Sequence, residues 1–401
     1  MRLLVIGAGM MGSAAAYDMA RADEVESVTL ADMDKARARE AVRRVNKLAR
    51  TKKVRAAHID AASEGAARKL MHGHDAALSA VPYFFNLGLA KAAIAAHCHF
   101  ADLGGNNTVV RRELALDKQA AKHDVALAPD CGLSPGMASI LAGELMRRIG
   151  GRAAALKIYV GGLPQKPEPP FNYQLVFSVE GLINEYVEPA RVLRKGKLVT
   201  LEPLSEPEVF RIAGFPELEA FHTSGGTSTL PETFAGQAGE CFEKTLRYPG
   251  HLAMIRALYD LGLMSSEPRR IGKVQIAPRA LTAQLMCEKF GGSEPDVTIL
   301  RVEAHEPAAG RLRSLVASGK PRRMAAFTLV DRYDPKTRMT SMMRTTAWPA
   351  SVVVQMLAGG VIRRRGAILQ ERDVPAGLFL NAMAARGVQI EYGMALESAE
   401  A

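Results

Sequence analysis

The stretch Arg2-Leu3-Leu4-Val5-Ile6, running at once into Gly7-Ala8-Gly9-Met10-Met11-Gly12, constrains this chain more than any other feature. A short apolar strand that meets three glycines at G-x-G-x-x-G spacing, and then the helical stretch Ser13–Arg21, is the entry to a dinucleotide-binding βαβ unit. Gly7 permits the tight turn. Gly9 lets the backbone, with the amides of Met10 and Met11, approach a diphosphate resting on the positive end of the helix. Gly12 allows close packing of helix on strand. The apolar run is too short for the core of a signal peptide, and no run reaches the ~20 residues of a bilayer-spanning helix. The expectation is a cytoplasmic protein without membrane partners.

The next strand, Ser27–Ala31, ends in Asp32, twenty residues after the third glycine. An acid there bonds both ribose hydroxyls of NAD and repels the 2′-phosphate of NADP. Met33 stands where an NADP enzyme often carries arginine, so the reading is NAD, with NADP less favoured. The alternative for Asp32 is a cap on the helix that begins near Asp34. The pattern then repeats: helix 34–49, strand 54–58, helix 63–71, strand 75–80, helix 84–96, strand 98–102, helix 110–122 and strand 125–128. Six strands joined by helices form a doubly wound parallel Rossmann sheet through right-handed crossovers. Ligands lie beyond the carboxyl ends of such strands. That places Asp60 and Ala61 in reach of the adenine, and puts Ser79-Ala80-Val81-Pro82 and the loop after Asp102 beside the nicotinamide half.

Past the sixth strand, Asp130-Cys131-Gly132-Leu133-Ser134-Pro135-Gly136 leads into helix 137–149 and leaves the sheet on the cofactor side. Asp130 is therefore a candidate for the active site, or a turn aspartate. From Ala154 the texture changes to alternating stretches at 155–161, 173–179, 197–202, 241–247, 297–303 and 324–331, with helices near 249–262 and 278–290. This is an α+β domain with a mixed, mainly antiparallel sheet. Apolar helices at 349–358 and 376–386 close the chain. The expected division is 1–130, 131–345 and 346–401, the last packing back on the Rossmann domain. The net charge of +10 is dispersed, and clusters such as Arg363-Arg364-Arg365 lack interleaved aromatics, which argues against nucleic acid and for anionic substrates. Cys98, Cys131, Cys241 and Cys287 show no metal or disulfide spacing and read as free thiols. His97 and His99 read as a pair on one face of a strand, not as a metal site.

With these motifs in view, the sequence resembles the saccharopine dehydrogenase-like family and, within it, the lysine 6-dehydrogenases. The resemblance rests on GAGMMG at 7–12, SAVP at 79–82, DCGLSPG at 130–136, GGLPQKPEPPFNYQLVFSVEGLINEY at 161–186, TSGGTSTLPE at 223–232 and KTLRYPGH at 244–251. It implies an amino-acid dehydrogenase whose second domain holds the substrate and mediates oligomerisation, as a homodimer or a larger homo-oligomer. The implied reaction is NAD-dependent oxidative deamination of the lysine ε-amine to the semialdehyde. Saccharopine-type chemistry on a secondary amine is the alternative, and a non-catalytic NAD-binding regulator is the third reading.

An amine must lose a proton before hydride leaves its carbon, so a base titrating near neutral pH is needed. Histidine starts there, and His251 and His222 are candidates beside Asp102 and Asp130; a helix start and a strand end are their structural alternatives. A substrate carboxylate calls for arginine. Arg247 is that residue, and the family pattern supports it, with Tyr248 and Thr245 adding hydrogen bonds and Glu180 gripping the α-ammonium. Alternation along the strand puts Lys244 on the face opposite Arg247, Thr245 and Cys241.

Overall fold

A computed structural model describes residues 1–292, 294–307 and 322–397. The chain forms two compact units: Met1–Glu144, Asp334–Met339 and Met343–Gln389 make the first, and Leu145–Tyr333, Thr340–Met342 and Ile390–Ala401 the second. This differs from the expected boundaries. Helix Ala138–Arg148 starts in the first unit and ends in the second, and the chain returns to the first after Met342.

The first unit is built on a parallel sheet of β1 (Arg2–Ile6), β2 (Ser27–Asp32), β3 (Val54–His58), β4 (Ala76–Ser79), β5 (His99–Asp102) and β6 (Ala126–Ala128), joined by the two-residue strand Gly366–Ala367. The order is Gly366–Ala367, β6, β5, β4, β1, β2, β3, so the winding reverses beside β1. Leu3 to Ile6 are fully buried, as expected of a strand covered on both faces. The seventh strand was not anticipated, because two residues carry no periodicity. The expected helix 110–122 is two helices, Asn107–Leu114 and Asp117–Lys122; the Asn106 side chain caps the first by accepting from the amides of Thr108 and Val109. His97 is not in β5: it ends helix Asn86–Ala96 at φ 55°, so it shares no strand face with His99. Among the described residues no His/Cys/Asp/Glu group could hold a metal ion, and no helix is long and apolar enough to cross a membrane.

The second unit contains β7 (Ala153–Pro164), β8 (Ala190–Arg194), β9 (Lys197–Leu201), β10 (Glu208–Phe210), β11 (Leu218–Phe221), β12 (Ala238–Arg247), the separate hairpin β13 (Arg269–Ile271) and β14 (Val274–Ile276), β15 (Asp296–His305) and β16 (Arg322–Arg332). The mixed sheet runs β10, β11, β12, β7, β15, β16 and the C-terminal strand Glu391–Glu397, with β8 and β9 branching from β12. The β12–β7 pair is parallel and the other pairs along this path are antiparallel. The expected strand at 173–179 is absent. Its alternation belongs to an irregular segment that buries Tyr173 and Val176 and is tied down where the Leu175 amide donates to the Phe290 carbonyl; helix Val179–Val187 follows.

Strand β12 divides its side chains between two environments. Phe242 and Leu246 pack with Tyr159, Leu163 and Ile299. On the other face, Glu243, Thr245 and Arg247 meet Thr223 and the helices that bring Tyr186 and His251. That second face carries the polar cluster described below.

Candidate functional site

The glycine turn fits a dinucleotide. A Cβ on Gly7, at φ +105°, would lie 2.5 Å from the Ala80 carbonyl oxygen, and one on Gly12 would lie 1.8 Å from that of Gly7. A Cβ on Gly9 would meet nothing within 4 Å. The turn is thus walled by backbone beneath Gly7 and Gly12 and open beside Gly9. Helix Met10–Arg21 starts there, three residues earlier than expected, with no side chain capping its amides. Open space over uncapped helix amides is what a diphosphate requires.

Asp32 is buried and closes the same turn: Oδ2 accepts from the Ala8 amide at 2.8 Å and Oδ1 from the Asp34 amide at 2.9 Å. The helix cap is Asp34, which accepts from Ala36 and Arg37. Met33 beside it is 74% exposed. Asp60 is exposed and turns back to accept from the Ala62 amide, while Ala61 packs on the core. The Ser79 hydroxyl is spent inward on Asn86 Oδ1 at 2.7 Å, so backbone forms most of what the Ala80–Pro82 loop presents, with Val81 packed on the core. Gly7 and Ala80 bring this loop against the glycine turn.

At the ends of β5 and β6, Asp102, Asp130 and Glu113 form a buried carboxyl group cluster. Asp102 Oδ1 accepts from the Gly104 amide at 2.7 Å and from the Asp130 amide at 3.3 Å, pinning both strand-end loops. Gly104, at φ +73°, leaves room for Asp130: its Cβ would lie 1.8 Å from Asp130 Oδ1. Glu113 lies against Asp102, yet Asp102 Oδ2 and both Glu113 carboxyl oxygens lack a donor as long as both groups are ionised. A proton held between them bridges Asp102 Oδ2 and one of the two Glu113 oxygens. Burial is the main cause that pushes both carboxyls above the usual range, and on Glu113 the charges of Asp102 and Asp130 add to it. Cys131, whose thiol donates to the Ala128 carbonyl, is raised by burial and by the same three acids.

Sequence reasoning missed Glu113. Flanked by Arg111 and Arg112 it reads as solvated, but it lies one turn after Val110 on the buried face of its helix. The folded chain keeps its proton above the ordinary 4.5, whereas the unfolded chain releases it there, so stability falls as pH rises from that point. Glu113→Gln, which cannot titrate, is expected to flatten the fall in melting temperature between about pH 5 and 9. Equal slopes in thermal unfolding would remove the shared proton.

In the second unit Arg247 is buried at the end of β12. Its Nε donates to the Tyr186 hydroxyl at 3.2 Å and its Nη1 to the Leu246 carbonyl at 2.9 Å, and the guanidinium sits 4.9 Å from the Tyr173 ring centroid. His251 Nδ1 lies 2.9 Å from the Phe171 carbonyl, which can only accept, so Nδ1 carries the hydrogen. Its Nε2 then accepts from the Tyr186 hydroxyl at 3.0 Å. The result is a directed chain from Arg247 through Tyr186 and His251 to a backbone carbonyl.

This arrangement corrects the reading of His251 as a base. Both nitrogens are engaged, and burial, with Arg247 adding to it, pushes its pKa down to about 3. His222 is likewise not an exposed strand end: it is fully buried, with Nδ1 on the Glu243 carbonyl and Nε2 against Glu206, and burial lowers its pKa. Tyr248 faces away, donating to the Pro164 carbonyl among the opposite core residues. Glu180 is 55% exposed and paired with Arg279 at 2.7 Å. Thr245 remains in the cluster, bonded to Thr223 at 2.8 Å and donating to Glu243. Lys244 points to the other face, where its ammonium meets the Glu206 carbonyl and Glu208.

Two further acids were overlooked. Glu243, two residues from Thr245 and so on its face, is held by the Thr223 and Thr245 hydroxyls, and burial pushes it up to about 8. Glu185 lies 3.9 Å from Arg247 Nη2; burial pushes it up to about 7 against the pull of that guanidinium. Alternation along β12 would have found Glu243; Glu185 stands in the 161–186 block but has no pattern that sets it apart from Glu180.

Comparison with known proteins agrees with this architecture. The family model described as Saccharopine dehydrogenase NADP binding domain matches residues 3–128, and that described as Saccharopine dehydrogenase C-terminal domain matches 132–388. The NADP(+), L-glutamate-forming saccharopine dehydrogenase of Saccharomyces cerevisiae is 23% identical over 303 residues, covering 73% of this chain and 65% of that protein. The mitochondrial alpha-aminoadipic semialdehyde synthase of Rattus norvegicus is 22% identical over 300 residues, covering 72% of this chain and 31% of that protein. The sequence matches therefore span from about a third to just under two thirds of these relatives. In fold, the chain is similar to the apo saccharopine dehydrogenase (L-Glu forming) from Saccharomyces cerevisiae, with a TM-score of 0.77 at 18% identity over 98% of this chain and 99% of that one. It is also similar to a homospermidine synthase from Legionella pneumophila in complex with NAD, with a TM-score of 0.66 at 11% identity over 98% and 91%. The chain belongs to the saccharopine dehydrogenase family.

Proposed function

We propose that this chain oxidises the ε-amine of lysine with NAD, releasing the semialdehyde and ammonia. The observation that carries the reading is Arg247, a buried guanidinium oriented by Tyr186 and His251 whose Nη2 makes no hydrogen bond among the described residues, which suits an amino-acid carboxylate. The glycine turn and Asp32 would hold the dinucleotide, and the nicotinamide, when bound, supplies the hydride acceptor.

As hydride leaves Cε, the amine surrenders a proton and a C=N bond forms; water then adds across that bond and ammonia departs. Asp102 and Asp130 are the carboxylates assigned to the proton; burial pushes Asp102 up to about 6, and its hydrogen bond with Glu113 pulls against that rise. His251 and His222 serve as orienting groups, because each is buried and bonded through both nitrogens.

A second reading, oxidation of the secondary amine of saccharopine, is favoured by the names of the relatives. Purified chain with NAD and lysine, followed at the nicotinamide absorbance band, is expected to turn over. Activity with saccharopine alone supports the second reading. Dinucleotide binding without turnover of either amine would overturn both.

The preference for NAD also departs from the NADP(+) of those relatives' names. It rests on the carboxylate of Asp32 and the absence of a cation at Met33. Asp32→Ala combined with Met33→Arg is expected to shift relative affinity toward NADP by about tenfold or more. A native protein that already binds NADP more tightly than NAD would sink this reading of Asp32.

A further inference from the structure

Arg247 Nη2 and Glu185 Oε2 face each other across 3.9 Å, beyond hydrogen-bond reach. Arg247 has committed Nε to Tyr186 and Nη1 to Leu246, and among the described residues the carboxylate paired with Nη2 is Glu185. Among the described residues, the Glu185 carboxylate receives no hydrogen bond, and its side chain is 31% exposed. Both groups are fixed from behind. Arg247 is held by the Tyr186–His251–Phe171 chain and the Tyr173 ring. Glu185 is carried by helix Val179–Val187, next to Tyr186, and its own carbonyl accepts from the Ser224 amide.

An ion pair held apart in this way sets a buried cationic donor beside a partly exposed anionic acceptor without a hydrogen bond between them. Its complement is a molecule with an anion and a cation on neighbouring atoms. An amino-acid head group is such a molecule: its carboxylate and ammonium share one carbon. Tyr173, nine-tenths buried in the same cluster, adds a hydroxyl with no hydrogen-bond partner among the described residues, and it feels the charges of both Arg247 and Glu185. Burial pushes the Glu185 carboxyl up to about 7, and an ammonium placed beside it would favour the ionised form.

We propose that Arg247 and Glu185 form a clamp for the zwitterionic head group of an amino acid, Arg247 taking the α-carboxylate and Glu185 the α-ammonium. The clamp rests on the amino-acid reading above and replaces Glu180, five residues earlier, as the ammonium partner. It makes the head group, and not the distal amine, the part that the second unit recognises.

Calorimetric titration of the full chain, loaded with NADH, with lysine, 6-aminohexanoate and cadaverine tests it. The second ligand lacks the α-ammonium and the third the α-carboxylate. The intact protein is expected to prefer lysine over each by about tenfold or more. Glu185→Gln should erase the preference over 6-aminohexanoate and keep that over cadaverine, and Arg247→Lys should do the reverse. A Glu185→Gln protein that binds lysine as before, or weakens lysine and 6-aminohexanoate alike, overturns the clamp, as does an intact protein that discriminates none of the three. Hydride transfer is read separately. Discrimination that depends on Glu185 without lysine turnover keeps the clamp and removes the oxidation; turnover indifferent to Glu185→Gln does the opposite.

Discussion

Gly12→Ala is expected to destabilise the first unit and to cut dinucleotide affinity by about a hundredfold or more. The new Cβ would stand 1.8 Å from the Gly7 carbonyl oxygen and 3.3 Å from Val5 Cγ1. Neither atom is the free end of a flexible side chain, so the helix must move off the strand and carry its N-terminal amides with it. Overpacking of this kind typically costs about 1–3 kcal/mol, and contact with backbone belongs at the upper end. Gly9→Ala is the contrasting variant. Its Cβ meets nothing within 4 Å, so folding should be unchanged while the added methyl occupies the space left for the diphosphate. Thermal unfolding with calorimetric titration of NAD separates the two effects. A Gly12→Ala protein of unchanged melting temperature and affinity would contradict the packing argument, and unchanged affinity in Gly9→Ala would move the diphosphate elsewhere.

Arg247→Ala is expected to raise KM for the amino acid by about ten- to a hundredfold, from the loss of a charge-assisted bond worth about 1.5–3 kcal/mol. The change should fall more on KM than on kcat, because a head group far from the reacting carbon is bound alike in ground and transition states. It also removes the hydrogen bonds that Arg247 donates to the Tyr186 oxygen and the Leu246 carbonyl, so the melting temperature should drop. Tyr186→Phe keeps the ring and removes the hydroxyl that links Arg247 to His251, and should reproduce part of the KM effect. Steady-state kinetics with circular dichroism as the folding control decide the matter; an unchanged KM in Arg247→Ala takes the residue out of recognition.

Much of the first unit was legible because its signals are local. Strand, glycine turn and helix are contiguous, and the acid at 32 lies one βα step away. The alternation that separates Arg247 and Thr245 from Lys244 is local too. The misreadings have separate causes. Histidines 222 and 251 have the right intrinsic proton affinity, but a sequence carries no record of burial, and burial removes both from proton transfer. Tyr248 follows Arg247 directly and so points to the opposite face, which alternation foretold and the hydrogen-bond assignment overlooked. Glu113 follows two arginines and Glu185 is an acid on an otherwise mainly apolar helix; the ordinary fate of both is solvent, and only the surrounding packing makes them otherwise. The segment 173–179 alternates like a strand because its apolar side chains are buried from an irregular backbone.

From the sequence alone came the nucleotide-binding sheet and the mixed sheet after it, since these follow from periodicity and spacing along a few dozen residues, whereas the choice of Arg247 leaned on the family resemblance. Tertiary structure decided which ionisable groups are sealed from water, which face one another and which are spent on backbone. Those outcomes depend on contacts between segments distant in the chain, such as Arg247 with Glu185, so they acquire a value only once the whole unit is packed.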